Sequence, residues 1–200
     1  MSNFTRLGRI GLFGGTFDPP HLGHLVTAVN VRHALGLDVV ILMVAGEPWQ
    51  KVDTRPVTSA RERLAMVQAA VADVPGLVAG RTEVDRDGPS YTADTLEALA
   101  QEHPGATLFT IVGDDAAAGF ETWRRHLDVA AMSTLVVVDR PGNEVELSDS
   151  FEWTRVEVPH LDVSSTDLRA RAADGRPLDY LVTPPVLDAI RSLGLYQEAV

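Results

Sequence analysis

Three glycines, two prolines and two histidines lie close together near the start of the chain, in residues 14–24 (GGTFDPPHLGH). Gly14 and Gly15 carry no Cβ, so the backbone there can pass close to a ligand. His21 and His24 are three residues apart, which places them on one face of the first turn of a helix that begins at the second proline. Imidazoles at the positive end of a helix suit an anionic ligand. The stretch therefore predicts a phosphate site.

The elements around this stretch support that interpretation. Residues 10–13 form a short apolar run typical of a strand, and residues 22–35 have the pattern of an amphipathic helix. Taken singly, a Gly-Gly pair is often only a tight turn, Pro-Pro only a helix start, and His-x-x-His a chance match; together, in one strand-turn-helix unit, they favour phosphate binding. The stretch is neither a Walker A loop, which needs Gly-Lys-Ser/Thr, nor the Gly-x-Gly-x-x-Gly of dinucleotide-binding folds.

Strand-like and helix-like segments alternate along the rest of the chain. Apolar runs predict further strands at residues 38–44, 77–84, 106–112, 134–139 and 151–158. Helices are predicted at residues 60–74, with Thr58 or Ser59 as the cap and Glu62 as its partner, from about 90 to 101, from 164 onward, and at 184–193. The alternation predicts an α/β fold: a Rossmann-like, doubly wound sheet of mostly parallel strands flanked by helices. We expect residues 1–200 to form a single domain, with the C-terminal helical part, about 164–200, packed on the sheet.

Composition excludes several classes of protein. The chain has 17 basic and 28 acidic residues, a formal charge of −11, which argues against a general nucleic-acid surface. The absence of cysteine excludes disulfides, thiolate metal sites and a cysteine nucleophile. The apolar runs are too short to span a bilayer, and residues 1–9 show no secretory signal, so we expect no membrane partner and a cytoplasmic location.

Three further positions are candidates for binding, each with a structural alternative. Lys51 follows the second predicted strand, where a loop meets the ligand crevice of open α/β sheets, although a lone loop lysine is usually solvated. Thr92 opens a helix whose N–H groups could bind an anion, or it is only the helix cap. Trp123 is either a stacking platform or core packing.

Two segments at the ends of predicted strands add polar groups. Gly113 and Asp115 follow the strand 106–112; the carboxylates there could bind ribose hydroxyls or hydrated Mg²⁺, or Asp115 could cap a helix. Residues 163–169 (VSSTDLR) combine a hydroxyl-rich helix start with Arg169. That start is either an ordinary N-cap or a pyrophosphate cradle with two free hydroxyls and a guanidinium.

These motifs resemble one family. GGTFDPPHLGH is similar to the Gly-x-x-x-Pro-x-His-x-Gly-His signature of the His-x-Gly-His nucleotidylyltransferase superfamily. Residues 91–96 (YTADTL), residues 113–115 (GDD) with Trp123, and residues 163–169 resemble, in the same order, segments of its nicotinic acid mononucleotide adenylyltransferase branch. The tail, residues 180–196, is similar to that branch's closing helix.

The resemblance implies adenylyl transfer from ATP to nicotinic acid mononucleotide in NAD biosynthesis, with Mg²⁺ as cofactor and the two nucleotides as partners. It implies no nucleic-acid partner and leaves a homo-oligomer open. The implied site residues fall into three groups. The catalytic residues are His21, His24, Lys51 and Arg169. Binding of ATP is implied for Gly14, Gly15, Thr16, Phe17, Gly113, Asp115, Ser164, Ser165 and Thr166. Binding of the mononucleotide is implied for Asp18, Tyr91, Thr92 and Trp123.

The chain departs from the family in one loop. Where the family usually has Pro-Pro-His-Lys after the second strand, residues 47–51 are EPWQK, so the lysine is kept and the histidine is lost. Trp49 then either lines or obstructs the site.

Other functions are compatible with the same residues. Phosphopantetheine adenylyltransferase shares the opening motif, and nicotinamide mononucleotide is an alternative acceptor. A metal hydrolase could use Asp18, His21 and His24 as ligands, and a nucleotide sensor could bind ATP without reacting. No metal ligand set is predicted from the sequence.

Overall fold

The computed structural model describes residues 7–47, 57–139 and 146–197, which form one parallel sheet with helices on both faces. Within these residues the sheet has six strands in the order β3-β2-β1-β4-β5-β6, and each neighbouring pair is parallel. The strands are β1 (Arg9–Gly15), β2 (Val39–Val44), β3 (Leu77–Gly80), β4 (Thr107–Gly113), β5 (Thr134–Asp139) and β6 (Trp153–Glu157). This confirms the predicted Rossmann-like, doubly wound fold.

Helices connect the strands and close the chain. They are α1 (Leu22–Ala34), α2 (Ala60–Val71), α3 (Thr92–Glu102), α4 (Asp114–Ala118), α5 (His126–Met132), α6 (Ser165–Ala173) and α7 (Pro184–Ser192), with a 3-10 helix at Phe120–Thr122. The capping box predicted at the start of α2 is confirmed, since the Ser59 hydroxyl accepts from the Glu62 N–H at 3.3 Å. Pro184 occupies the first turn of α7, and Gly194 follows it in the left-handed region with φ +62°.

The sheet is buried on both faces. All six residues of β2 (VVILMV) are buried, as expected for a central parallel strand covered from two sides. One hydrophobic cluster joins one face of the sheet to α1, α2, α6 and α7. A second cluster joins the other face to α3, α5 and Phe120. Strands β1 and β4, between which the strand order changes direction, lie between these two layers.

Some predicted boundaries were wrong. The strand predicted at 77–84 ends at Gly80, because the next residues turn, with the Val84 and Asp85 N–H groups both donating to the Arg81 carbonyl. The helix predicted to reach residue 74 ends at Val71. In the described part of the chain, none of the helices is both long and apolar enough to cross a membrane.

Candidate active site

Two cavities meet at the carboxyl edge of β1 and β4. One, here called the aromatic cavity, has a volume of about 260 Å³ and is lined by Tyr91, Thr92 and Trp123. The other, here called the histidine cavity, has a volume of about 680 Å³. Its lining includes His21, His24, Asp115, Ser164, Ser165, Thr166 and Arg169. Both cavities share the wall formed by Phe13, Gly14, Gly15, Thr16, Gly113 and Ala116. Ligands in the two cavities would therefore lie next to each other along these shared residues.

The glycines of the shared wall serve two different purposes. A Cβ built on Gly14 or Gly113 would meet nothing within 4 Å, so the space beside both backbones is open to a ligand. A Cβ on Gly15 would instead lie 2.8 Å from Cζ of Phe17. Gly15 is thus required because the Phe17 ring packs against it. Gly14 and Gly113 instead leave space for a ligand at the cavity surface.

Phe17 has an unusual conformation. Its φ is +51°, in the left-handed region that bulky residues rarely adopt, and its side chain is 2% exposed. The ring packs edge-on against His24 with centroids 4.9 Å apart. The loop therefore holds one wall of the histidine cavity in a constrained geometry.

The two histidines lie together at the start of α1, as the sequence predicts. His21 is the N-cap residue, and its ring stacks on that of His24 with centroids 3.7 Å apart. The backbone N–H of His21 donates to Nδ1 of His24 at 3.1 Å. When neutral, His24 must therefore carry its proton on Nε2. A neutral His24 is thus fixed as a donor through Nε2.

His21 is buried more deeply than its partner. Burial lowers its pKa from 6.5 to about 4, so the ring is neutral near pH 7. Its Nδ1 has no hydrogen-bond partner among the described residues. A Cβ on Gly23 would lie 3.0 Å from this atom, so the glycine between the histidines lets the ring pack against the backbone.

Helix α6 is tied to the loop before α1. The Ser165 hydroxyl donates to the Pro19 carbonyl at 2.9 Å, and Nη1 of Arg169 donates to the Asp18 carbonyl at 2.8 Å. Ser164 caps the helix by accepting from the Asp167 N–H at 3.1 Å. The prediction of two free hydroxyls was wrong, because the serine hydroxyls are engaged in joining and capping these segments. The predicted cap at Ser164 is confirmed.

Asp18 lies in the wall of the histidine cavity and does not line the aromatic cavity. It is 1% exposed, and its Oδ1 accepts from the Tyr196 hydroxyl at 2.8 Å. Burial, with a smaller contribution from the nearby carboxylate, raises the pKa of Tyr196. No local sequence pattern predicts this contact, which joins residues 178 positions apart.

Helix α3 presents its N-terminus to the aromatic cavity. Its N-cap is Tyr91, without a side-chain cap, and Thr92 is the first helical residue. The alternative that Thr92 is only the cap was therefore wrong. The guanidinium of Arg124 lies over the Tyr91 ring, 5.1 Å from its centroid, and Arg124 also lines the cavity.

The position of Trp123 is compatible with both alternatives, a stacking platform and core packing. It lines the aromatic cavity, and its ring also lies 5.5 Å from that of Phe120 in the core. Asp115 lies in the first turn of α4, whose N-cap is Gly113, so the predicted alternative of a cap at Asp115 was wrong.

Sequence reasoning missed four polar residues of the aromatic cavity, Glu83, Ser90, Thr110 and Arg124. Burial raises the pKa of Glu83, while hydrogen bonds from Thr95 and Ser90 oppose that shift. Glu83 lies inside residues 77–84, which were predicted to be a strand throughout. Its carboxylate was therefore only a weak signal of a binding site.

Two predictions concern residues that the structure leaves undescribed: Lys51 and Trp49 lie outside the described residues. Within residues 7–47, 57–139 and 146–197, no group of three or more His, Cys, Asp or Glu side chains could hold a metal ion.

Comparisons with known proteins show the family of the chain. The model of the cytidylyltransferase-like family matches residues 12–171. A protein of Corynebacterium kroppenstedtii named "Probable nicotinate-nucleotide adenylyltransferase" is 44% identical over 98% of this chain and 94% of its own length. A Leifsonia xyli protein of the same name is 42% identical over 94% of each chain.

A solved structure is similar in fold. The Plasmodium falciparum nicotinic acid mononucleotide adenylyltransferase complexed with NaAD superposes with a TM-score of 0.75, over 94% of this chain and 97% of that one. The sequences are 16% identical, so this likeness concerns the fold alone. With the matched family model and the relatives above 40% identity, the chain belongs to the cytidylyltransferase-like family and, within it, to the nicotinate-nucleotide adenylyltransferases.

Proposed function

We propose that this protein transfers the adenylyl group of ATP to nicotinic acid mononucleotide, giving nicotinic acid adenine dinucleotide and pyrophosphate, in NAD biosynthesis. A phosphate oxygen of the mononucleotide attacks the α-phosphorus of ATP, and the bond from that phosphorus to the bridging oxygen of the β-phosphate breaks. The electron pair leaves with pyrophosphate. Because the attacking phosphate is already ionised near neutral pH, the reaction needs no general base. Family membership and the relatives' shared name support this activity.

The observation that carries the proposal is the pair of cavities with one shared wall. Two nucleotides bound on either side of Gly14 and Gly113 would bring their phosphates to the open space beside these glycines. Holding two reactants in line is the main source of rate in phosphoryl-type transfer, together with charge stabilisation. The larger, histidine cavity is assigned to ATP and the aromatic cavity to the mononucleotide.

We assign catalysis to hydrogen-bond donors that would surround the phosphates of ATP. His21, His24 and Arg169 line the histidine cavity, and Lys51 is added from the sequence alone. The side chains of His24 and Arg169 would donate to oxygens on which charge develops in the transition state. A neutral His21 also offers one N–H, and an adjacent phosphate would raise its pKa from about 4.

The remaining assignments follow the walls of the cavities. Gly14, Gly15, Thr16, Phe17, Gly113, Asp115 and the α6 start, residues 164–166, would hold ATP. Tyr91, Thr92 and Trp123 would hold the mononucleotide: the indole offers a stacking face, and the α3 N-terminus offers N–H groups to the pyridine carboxylate. The family resemblance places Asp18 with these mononucleotide-binding residues. Its hydrogen bonds with Tyr196 and Arg169 support a role in holding the loop before α1 in place.

We propose Mg²⁺ as the cofactor. Asp115 is exposed on the wall of the histidine cavity, which suits an ion that binds substrate phosphates, waters and one or two carboxylates. When bound, Mg²⁺ supplies charge neutralisation on the outer phosphates.

We also propose that a single domain carries both cavities.

The test is an assay of pyrophosphate release with ATP and three acceptors side by side: nicotinic acid mononucleotide, nicotinamide mononucleotide and phosphopantetheine. We expect the highest kcat/KM with nicotinic acid mononucleotide, and loss of activity with EDTA that Mg²⁺ restores. A higher kcat/KM with either other acceptor would reassign the substrate. Binding of ATP with no pyrophosphate released from any acceptor would indicate a nucleotide sensor instead.

A further inference from the structure

A buried arginine lies behind the two cavities without lining either. Arg63, in α2, is 1% exposed, which is unusual because a buried charge is costly unless hydrogen bonds compensate it. Nothing in the local sequence of α2 marks Arg63 as different from its exposed neighbour Arg61. Its burial therefore needs an explanation from its contacts.

The guanidinium joins three separate stretches of backbone. Nε donates to the Thr58 carbonyl at 2.8 Å, Nη1 to the Thr16 carbonyl at 2.8 Å, and Nη2 to the Gly46 carbonyl at 3.1 Å. Thr16 belongs to the loop after β1, Gly46 follows β2, and Thr58 precedes α2. Because a guanidinium is planar and its donors point in fixed directions, these bonds fix the three carbonyls relative to one another.

Gly46 carries this connection to the aromatic cavity. Its N–H donates to the Ser90 hydroxyl at 2.9 Å, and the Ser90 N–H donates to the Glu47 carbonyl at 3.2 Å. A Cβ on Gly46 would lie 2.2 Å from the Glu83 carbonyl oxygen, so the two backbones are in close contact there. Ser90 and Glu83 line the aromatic cavity, whereas Thr16 lines both cavities.

We propose that Arg63 is a positioning residue for the transfer reaction: through Thr16 and Gly46 it fixes the aromatic cavity relative to the histidine cavity, so that the two bound substrates are aligned. The proposal rests on the proposed function and extends it to a residue that touches neither substrate. Misplacing reacting groups by about 1 Å can lower a rate by about 100-fold. Because Arg63 lines neither cavity, its replacement removes no side chain from either lining.

The expected signature is a loss of kcat without a matching loss of binding. Arg63→Met removes all three donors, and Arg63→Lys keeps the charge without the planar fork. Arg61→Met is the matched control, an exposed arginine on the same helix. Calorimetric titration with a non-hydrolysable ATP analogue and, separately, with the mononucleotide gives the binding-competent fraction and each Kd. Pyrophosphate release at saturation of both substrates gives kcat per competent site.

We expect kcat per competent site to fall at least about tenfold in Arg63→Met and by an intermediate factor in Arg63→Lys, with each Kd changed by less than about threefold. A purely structural role would lower thermal stability and the competent fraction but would leave kcat per competent site unchanged. Unchanged kcat, within twofold of the wild type, or an equal loss in Arg61→Met would overturn the proposal.

If Arg63→Met does not fold, Arg63→Lys and Ser90→Ala decide the matter. Both interrupt the same connection, so the loss of kcat in the double variant should be smaller than the product of the two single losses. Values within twofold of the wild type in both single variants, or independent losses, would overturn the proposal. A wild-type enzyme that releases no pyrophosphate overturns the proposed function together with this role, whereas an active wild type with equally active Arg63 variants overturns this role alone.

Discussion

The two cavities are built in different ways. The histidine cavity is formed by segments far apart in the chain, the loop before α1 and the start of α6, which are joined by hydrogen bonds from Ser165 and Arg169 to backbone carbonyls. The aromatic cavity is formed by the start of α3 and by Trp123, whose ring also packs against the core residue Phe120. Polar groups with fixed directions suit charge stabilisation, while an aromatic face suits recognition. The difference predicts that changes in the first cavity alter turnover and changes in the second alter affinity.

The largest expected effect is on turnover. His24→Ala removes a donor oriented by the His21 N–H, so we expect kcat to fall by roughly tenfold to a thousandfold with little change in mononucleotide affinity. Pre-steady-state measurement of the chemical step is the test. His33→Ala, an exposed histidine on the same helix, is the control and should be unaffected. Normal chemistry in His24→Ala would remove it from the catalytic group.

The next effect concerns stability in acid. His21 has a pKa of about 4 in the folded protein and 6.5 when unfolded, so between these values the unfolded state binds more protons. Its contribution is fully present above pH 6.5 and is lost as the pH falls toward 4. We expect a loss of up to about 3 kcal/mol across this window.

Urea unfolding of the wild type and His21→Gln at several pH values measures this loss. The difference between their unfolding free energies should shrink between pH 6.5 and 4, because glutamine does not titrate. A difference independent of pH would mean that His21 is not buried in its neutral form.

The affinity for the mononucleotide should depend on Trp123. Trp123→Ala is expected to weaken mononucleotide binding by about 1–3 kcal/mol while leaving ATP affinity unchanged, because the ring lines only the aromatic cavity. Trp153→Ala is the control, since Trp153 packs 5.4 Å from the same Phe120 ring but lines neither cavity. Equal losses of affinity in both variants would assign Trp123 to packing alone.

The smallest effect distinguishes two of the three glycines of the shared wall, Gly14 and Gly15. Gly15→Ala should cost about 1–3 kcal/mol of stability because its Cβ meets the Phe17 ring at 2.8 Å. Gly14→Ala should leave the unfolding free energy nearly unchanged and reduce kcat/KM, because its Cβ enters the open space of the cavity. Chemical unfolding and steady-state kinetics on both variants test this pattern, and identical behaviour of the two would refute it.

Local patterns were sufficient to predict most of the fold. The apolar runs that became β1, β2, β4 and β5 lie within a residue or two of their predicted bounds, because buried parallel strands need continuous apolar residues. The pairing of His21 with His24 followed from helix periodicity. Features that depend on a few residues, such as the end of β3 at Gly80, were predicted less well.

Contacts between distant residues were not predictable in this way. The Tyr196 to Asp18 hydrogen bond, the burial of Arg63 and the left-handed backbone of Phe17 arise when segments meet in the folded chain. From the neighbouring sequence alone, Tyr196 resembles a surface tyrosine, Arg63 a solvated arginine and Phe17 an ordinary loop phenylalanine. The roles of the site residues remain predictions for the experiments above.

The bonds from α6 to the loop before α1 also bear on the order in which the protein matures. The carbonyls of Pro19 and Asp18 are synthesised well before their partners, because Ser165 and Arg169 are 146 and 151 positions later in the chain. During synthesis the sheet up to β5 can assemble while the histidine cavity still lacks one wall. The wall that α6 contributes is complete only after this helix has docked, so under the proposed function ATP binding there requires residues 165–169 to have been synthesised and folded.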